Sequence, residues 1–591
     1  MARPADLPLY TPQQFDLGAD ANECDIIMKG GVTSGIVYPF AILEIATRYR
    51  FRSLGGTSAG AIAAAFAAAA EYSRTARKDS AGFVRLQRHC EELPERLLSL
   101  FQPDPPARKL VDVVLRYRRE GARAIVTDLG LKIALTATWF GAIAAELFWL
   151  GGSRGWPLWL GLGLGAVVGA VAGLAWVLAR HARTIIPTVS GAVRDLPERQ
   201  FGACSGLREE GQEQPALTDW LHAAIQDIAF GADDQGQVLT FGHLRRADPP
   251  IDLQMVTTNL SMMRPHTLPD IRLLGGFKPA EWSRLFPAPV MAHLTGACRA
   301  WRRLKGALRF PTADQLPVIV ATRMSLSFPL LFKSIPLYTE DFELYNVVRD
   351  LEGTPVRQIR KLWFSDGGIS SNFPIHMFDS PLPSRPTFAV SLDDLPSSAG
   401  ALDKRVLLPQ NPSSALGVPV QEIGTLTRFL LQIFYSAKDW QDQLLSEITG
   451  QRERIAHVYL TPSEGGLNLG MDANASWDLM RFGLRAGEAF TSDAFDFDEH
   501  KWRRTLAFFK TSAEWIDKAR SAWVDRQFAG WYRGYSATVE SYRRISKIDR
   551  QRLADRIDEM LGVSTVETID PERIRRNFPR KTGVLRNTPT Y

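Results

Sequence analysis

Tyr49-Arg50-Phe51-Arg52-Ser53-Leu54-Gly55-Gly56-Thr57-Ser58-Ala59-Gly60, followed by the alanine-rich run Ala61 to Ala70, decides the fold. Tyr49 to Leu54 reads as a short strand, Gly56 to Gly60 as a sharp turn, and the alanines as a helix of high intrinsic propensity. Glycines on both sides of Ser58 let the backbone turn tightly and let the helix pack close, so that the serine projects from the turn. The free N–H groups and positive dipole end of that helix favour an anion forming beside the serine oxygen. The alternative reading is a tight turn without chemistry. A second G-x-S-x-G match, Gly151 to Gly155, has no strand before it and no soluble helix after it, and Ser153 reads as a turn residue.

Upstream, Asp25-Ile26-Ile27-Met28 reads as a buried strand running into Lys29-Gly30-Gly31-Val32-Thr33-Ser34-Gly35. A strand that ends in two glycines exposes backbone N–H groups, which suit a tetrahedral oxyanion. Phosphate cradling is the competing use, but the G-K-[ST] ending of a nucleotide-binding loop is absent. Downstream, Lys361-Leu362-Trp363-Phe364 reads as another strand and ends in Ser365-Asp366-Gly367-Gly368. An Asp-Gly turn is usually only a turn; a serine nucleophile nevertheless needs a base within hydrogen-bond reach, and Asp366 is the candidate.

In that order and with those residues the chain resembles the patatin-like phospholipase family, whose members carry a G-G-G-x-[RK]-G oxyanion loop, a G-x-S-x-G nucleophile and a D-G-[GA] base. Arg323 to Phe332 and Asn372-Phe373-Pro374 add local likeness, and the resemblance spans about Asp25 to Asp394. It implies a three-layer α/β/α sandwich and a Ser58–Asp366 dyad. Gly35, Gly56, Gly60, Gly367 and Gly368 are then motif residues. Val32 replaces the third loop glycine and Ser34 the basic residue. If Val32 restricts the backbone, the oxyanion donors are the N–H groups of Gly30, Gly31 and Ala59.

A Ser-His-Asp triad would require a histidine late in the chain, and His376, His457 and His500 qualify by order. The resemblance implies a dyad without histidine. An exposed aspartate is a feeble base, so Asp366 has to lie in a poorly solvated cleft. The expected reaction is hydrolysis of the fatty-acyl ester of a membrane phospholipid or other acyl lipid, with no metal or organic cofactor. Acyl transfer to another acceptor uses the same residues, and a catalytically silent membrane scaffold is the alternative from a different class.

Outside these motifs, two apolar runs, Ile133 to Leu150 and Trp156 to Ala179, are each long enough to cross a bilayer, which takes about 20 residues. Gly151 to Gly155 is only long enough to turn the chain round. Gly161, Gly165, Gly169 and Gly173 line one face of the second run, and Ala137, Gly141 and Ala145 give the first a matching small face. Arg116, Arg118, Arg119, Arg123 and Lys132 precede the hairpin, and Arg180 and Arg183 follow it. The positive-inside rule then puts the catalytic domain in the cytoplasm, anchored to a plasma or bacterial inner membrane. The alternative is a pair of buried helices.

The 591 residues, 45% hydrophobic and 23% charged with net charge +6, describe a large folded protein whose basic balance suits an anionic membrane; no nucleic-acid motif is present. Cys24, Cys90, Cys204 and Cys298 lack metal-site spacing and read as reduced core thiols. Val318 to Thr322, Thr387 to Leu392, Leu253 to Thr257 and Ala456 to Leu460 read as further buried strands. The expected organisation is an N-terminal tail (1–24), a catalytic domain (25–470) interrupted by the hairpin (131–183), and a helical C-terminal region (471–591). In that last region Trp502, Trp515, Trp523, Trp531, Tyr532 and Tyr535 are expected mostly to pack a helical core.

Overall fold

Strand β1 (Asn22–Met28) lies at the centre of a mixed sheet in the computed structural model. The structure describes residues 3–18, 20–31, 33–105, 107–108, 146, 194–233, 236–271, 275–349, 353–395, 405–409, 423–448, 450–461, 463–465, 468, 470–525, 528–534 and 547–562. Apart from residue 146, the expected membrane hairpin, its flanking arginines, Val32, Ser153 and Tyr535 therefore lie outside the described residues. Among the described residues no helix is long and apolar enough to cross a membrane.

In chain order the other strands are β2 (Tyr49–Gly56), β3 (Gly202–Cys204), β4 (Asp252–Asn259), β5 (Arg264–Leu268), β6 (Gly275–Phe277), β7 (Leu308–Arg309), β8 (Leu330–Phe332), β9 (Ile335–Glu340), β10 (Ile359–Asp366), β11 (Thr387–Asp394), β12 (Val406–Leu407) and β13 (Ile455–Leu460). The large sheet runs β12, β13, β11, β1, β2, β4, β10, β9, β6, β7, with β5 also on β4; β3 and β8 pair separately. The stretch β13, β11, β1, β2, β4 is parallel, and β10 closes on β4 antiparallel. Parallel strands buried on both faces read as nearly continuous apolar runs, which is why β1 and β11 were legible.

Eight helices matter here: α1 (Tyr38–Ala46), α2 (Ala59–Ala76), α3 (Ala81–Glu91), α4 (Leu217–Phe230), α5 (Val318–Ser325), α6 (Leu426–Ser446), α7 (Ala473–Thr491) and α8 (Phe497–Arg520). Cys24, Ile26 and Met28 of β1 join the main core with α1, α2, α3, α4, α5 and α7. Ile27, pointing the other way, packs with Phe373, Ile375, Ala389 and Ile455, against which Leu445 of α6 rests. Helix α7 packs across α1, so the helical part of the chain beyond 470 begins inside the main core.

Two expectations need correction. Val318 to Thr322 is not a strand but the start of α5. A short run of β-branched residues carries no decisive period, and here burial on every side, between β4, α2 and α4, outweighs β propensity. The C-terminal aromatics do not make a helical core: Trp502, Trp515 and Trp531 are exposed, while Trp523 and Tyr532 are half-buried against Phe528 and each other. The cysteines are free thiols, Cys24, Cys90 and Cys204 buried and Cys298 half-buried.

Candidate active site

Strand β2 ends at Gly56 and α2 begins at Ala59, so the turn between them holds Thr57 and Ser58. Ser58 adopts φ 54° and ψ −124°, a backbone region that non-glycine side chains rarely occupy. Such strain persists only where the surroundings enforce it. They do so through close approach: a Cβ on Gly60 would lie 2.3 Å from the Met28 carbonyl oxygen, so α2 can start this near to β1 only with glycine there. Gly35, just before α1, meets the same turn from the other side, against the Ala59 methyl.

Register places Asp366 at the same height. Gly56 pairs with Met255 of β4, and Thr257, two residues on, pairs with Asp366 of β10. Ser58 and Asp366 thus leave the sheet level with one another on either side of β4, about 10 Å apart at the backbone for two strand spacings. Both are 3% exposed. The Asp366 carboxylate oxygen Oδ1 accepts the Gly368 N–H at 2.7 Å, its backbone N–H donates to Ser327 at 3.0 Å, and its carbonyl accepts the Thr258 hydroxyl at 2.8 Å.

Two residues tie the motifs together. Ser325 Oγ, at the end of α5, accepts the Ser58 N–H at 3.2 Å and touches the Gly367 position. The carbonyl of Asn372 accepts the Gly30 N–H at 2.7 Å and the Thr57 hydroxyl at 3.0 Å. Its side-chain Oδ1 fills the space where a Cβ would stand on Gly30 (2.3 Å) or on Gly368 (2.7 Å). Asn372 thereby touches the glycine loop, the nucleophile turn and the base turn at once. In the sequence, Ser325 and Asn372 lie in the two stretches of local likeness, Arg323 to Phe332 and Asn372-Phe373-Pro374, but nothing there gives either residue a role.

The glycine loop differs from expectation in one respect. The N–H of Ala59 is not open for an oxyanion; it donates to the Gly31 carbonyl at 3.1 Å, and Ser58 Oγ donates to the same carbonyl at 3.4 Å. The Gly30 N–H is held by Asn372. Motif spacing brings the loop to the serine but does not say which edge of a peptide faces it. Ser34, standing where a basic residue was expected, is buried with its hydroxyl against Gly31.

Behind the loop lies a charged cluster. Lys29 Nζ donates to Asp393 Oδ1 at 2.7 Å and to Ser391 Oγ at 3.3 Å, and His457 Nδ1 lies 2.7 Å from Asp393 Oδ2. Burial works against the Asp393 charge, yet the Lys29 ammonium and His457 together hold its carboxyl well below the usual range. Asp442 of α6 accepts the Phe373 N–H at 2.8 Å and the Ser371 hydroxyl at 3.3 Å, and burial pushes its pKa up to about 6. Neither group announced itself in the sequence, because only tertiary packing brings them to the site.

Among the described residues, the histidines that qualified by order sit in other surroundings. His457 is bound to Asp393, His500 is buried between Phe495 and Phe497 with its pKa pushed down to about 3, and His376 is exposed. His266, paired with Thr257 by register, is buried beside Asn259 and pushed down to about 4. What remains at the β2 and β10 ends is a strained serine, a buried carboxylate and a ring of backbone N–H and C=O groups.

The family model of patatin-like phospholipases matches residues 141–379, a span that holds the Asp366 turn and begins after Ser58. The "RpoH suppressor" of Rhizobium meliloti (strain 1021) is 32% identical over 647 residues, covering 97% of this chain and 99% of that protein. Among solved structures, VipD from Legionella pneumophila is similar at 12% identity over 93% of this chain and 81% of that one, with a TM-score of 0.24. That last likeness is too weak to bear on the fold.

Proposed function

The chain belongs to the patatin-like phospholipase family, and on that premise we propose that it is a membrane-anchored phospholipase A-type hydrolase of fatty-acyl esters, acting through Ser58 and Asp366. Membership carries the coarser statement, a lipid acyl hydrolase family. The observation that carries the finer one is the joint placement of a strained, buried Ser58 and a buried Asp366 by Ser325 and Asn372.

In the proposed reaction Ser58 Oγ attacks the acyl carbonyl as its proton passes to Asp366; the tetrahedral intermediate then collapses to an acyl-serine while Asp366 returns that proton to the departing lysolipid alkoxide. A water then attacks the acyl-serine, Asp366 takes its proton, and on collapse that proton goes to Ser58 Oγ as the fatty acid leaves. The tetrahedral oxyanion needs N–H donors, so the Gly31 peptide has to turn its carbonyl away from Ala59 before chemistry. That frees the Ala59 N–H at the start of α2, where the helix dipole assists it. Low exposure of both residues suits this chemistry, because a carboxylate deprived of water is the stronger base.

Anchoring is read from the apolar runs 133–150 and 156–179 and their basic flanks, which place the catalytic domain on the cytoplasmic side. The Gly31 carbonyl at the serine favours a second reading, a silent scaffold in which the hole stays closed. Hydrolysis of a panel of vesicle lipids by purified protein separates the two. Fatty acid released by the wild type and lost in Ser58→Ala supports the hydrolase; no release from any lipid supports the scaffold.

A further inference from the structure

Phe201, Leu260, Met262, Met263, Leu330 and Trp363 form one apolar patch at the surface. Trp363 stands in its middle: its ring meets Phe201 edge-on at 5.3 Å, its backbone N–H donates to Ser261 Oγ at 3.0 Å, and its backbone carbonyl accepts the Leu260 N–H at 2.9 Å. The Leu330 N–H donates to the Phe201 carbonyl at 3.2 Å. Met263 is 91% exposed and Leu330 62%. Isolated apolar residues on a surface are ordinary, but a contiguous group marks a contact face. Phe201, Met263 and Leu330 also have φ of 59°, 53° and 66°. Glycine would be at ease at each of these positions, and each carries a large apolar side chain held outward instead.

We propose that this patch lies against a lipid bilayer and seats the Ser58 cleft on it. The inference rests on the membrane-lipid reading above and names the face by which the domain meets its substrate. Three observations select lipid as the occupant. First, Trp363 lies three residues before Asp366 on β10, so the patch stands roughly 10 Å further out from the same edge of the sheet that carries the site. Second, the chain that carries the two apolar runs joins the body here. Before it, the Asp104 N–H donates to Ala203 at 2.8 Å and Asp104 pairs with Lys333 at 2.5 Å; after it, residues 194–201 lead straight into β3, whose Gly202 pairs with Leu330. Third, Arg264, exposed and next to Met263 in the chain, and Lys361, 4.5 Å above the Trp363 ring, set basic side chains among the apolar ones. Apolar and aromatic groups with basic side chains beside them match an anionic headgroup layer above acyl chains.

The test uses the full chain reconstituted with vesicles of phosphatidylcholine and phosphatidylglycerol containing acyl-chain nitroxides. A fluorophore is attached at Met263→Cys or, on the opposite edge of the sheet, at Asn22→Cys, each with Cys298→Ser because the other three cysteines are buried. At least twofold stronger quenching at 263 than at 22 is expected. In addition, M262E/M263E should lower hydrolysis of vesicle lipid about tenfold while leaving a soluble short-chain ester unaffected. Protein that floats with the vesicles but is quenched equally at both positions overturns the patch and leaves the anchor standing. A signal at 263 that follows protein concentration rather than lipid assigns the patch to a second copy and also overturns the proposal. Protein that does not float overturns both anchor and patch. Inactivity on both esters defeats only the hydrolase reading, since quenching still decides the patch.

Discussion

Two acidic centres stand at the same edge of one sheet and are built in opposite ways. At Asp393, on β11, the charge is met by Lys29 and His457. At Asp366, on β10, Oδ1 accepts the Gly368 N–H, the backbone N–H donates to the Ser327 carbonyl, and the backbone carbonyl accepts the Thr258 hydroxyl. Burial raises the cost of the Asp393 carboxylate, and Lys29 with His457 beside it outweighs that cost and keeps it ionised. A carboxylate so satisfied fastens β1 to β11 and β13 but has no appetite for a proton. The difference teaches that position at the sheet edge does not make a base: a carboxylate fastened to a lysine is spent on structure, and the proposed reaction gives the base's part to the one beside the Ser58 turn.

Breaking the Ser58–Asp366 centre should have the largest effect. Ser58→Ala is expected to lower ester hydrolysis on the order of 10⁴-fold, and Asp366→Asn about 10²- to 10⁴-fold. The melting temperature of Ser58→Ala should hold or rise, measured by circular dichroism, because the side chain removed is not part of the core. Turnover retained by either variant would erase the contrast between the two centres.

Next comes the pH response, in which Asp442 and Asp393 have opposite signs. Asp442, which holds the Asn372 loop, has its folded pKa raised to about 6. The folded state therefore binds more protons than the unfolded chain between about pH 4 and 6, and stability falls as pH rises through that window, by up to about 3 kcal/mol. Asp442→Asn should flatten this part of the curve. Asp393 is held below its ordinary value, so its contribution is complete above about pH 4 and is lost in stronger acid. Urea titrations from pH 3 to 8 read both signs.

Smaller again is Asp393→Asn, expected to cost about 2 kcal/mol, less than the 3–5 typical of a fully buried pair because 22% and 23% of the two side chains remain exposed. Replacing both partners, K29M/D393L, should recover part of that loss. Asn372→Ala is expected to lower kcat about tenfold, or about 1.4 kcal/mol, with KM nearly unchanged, since its side chain spaces Gly30 from Gly368 without meeting substrate. A KM effect without a kcat effect would move Asn372 from positioning to binding.

Legibility followed the same physics. β1, β2 and β10 showed in the sequence because buried strands and glycine turns impose strong local patterns, and these carried Ser58, Asp366 and the glycine loop with them. Helix α5 did not show, since Val318 to Thr322 is too short and too β-branched for its period to be read. The orientation of the Gly31 peptide was also out of reach, because it is set by one dihedral and by a carbonyl's choice between Ala59 and solvent. Asn372, Ser325 and Asp442 act across long separations in the chain, where no local pattern reports contact. The exposed C-terminal tryptophans were misread for a related reason: aromatic content signals burial without naming the partner.

The claim under all of this is that Ser58 is a nucleophile activated by Asp366. Treating the purified full chain with a fluorophosphonate and locating the adduct by peptide mass spectrometry tests it most directly. One adduct on Ser58, absent in Ser58→Ala and formed at least about a hundredfold more slowly in Asp366→Asn, is the expected result. Labelling at another residue, or labelling of Ser58 at an unchanged rate without Asp366, would contradict it.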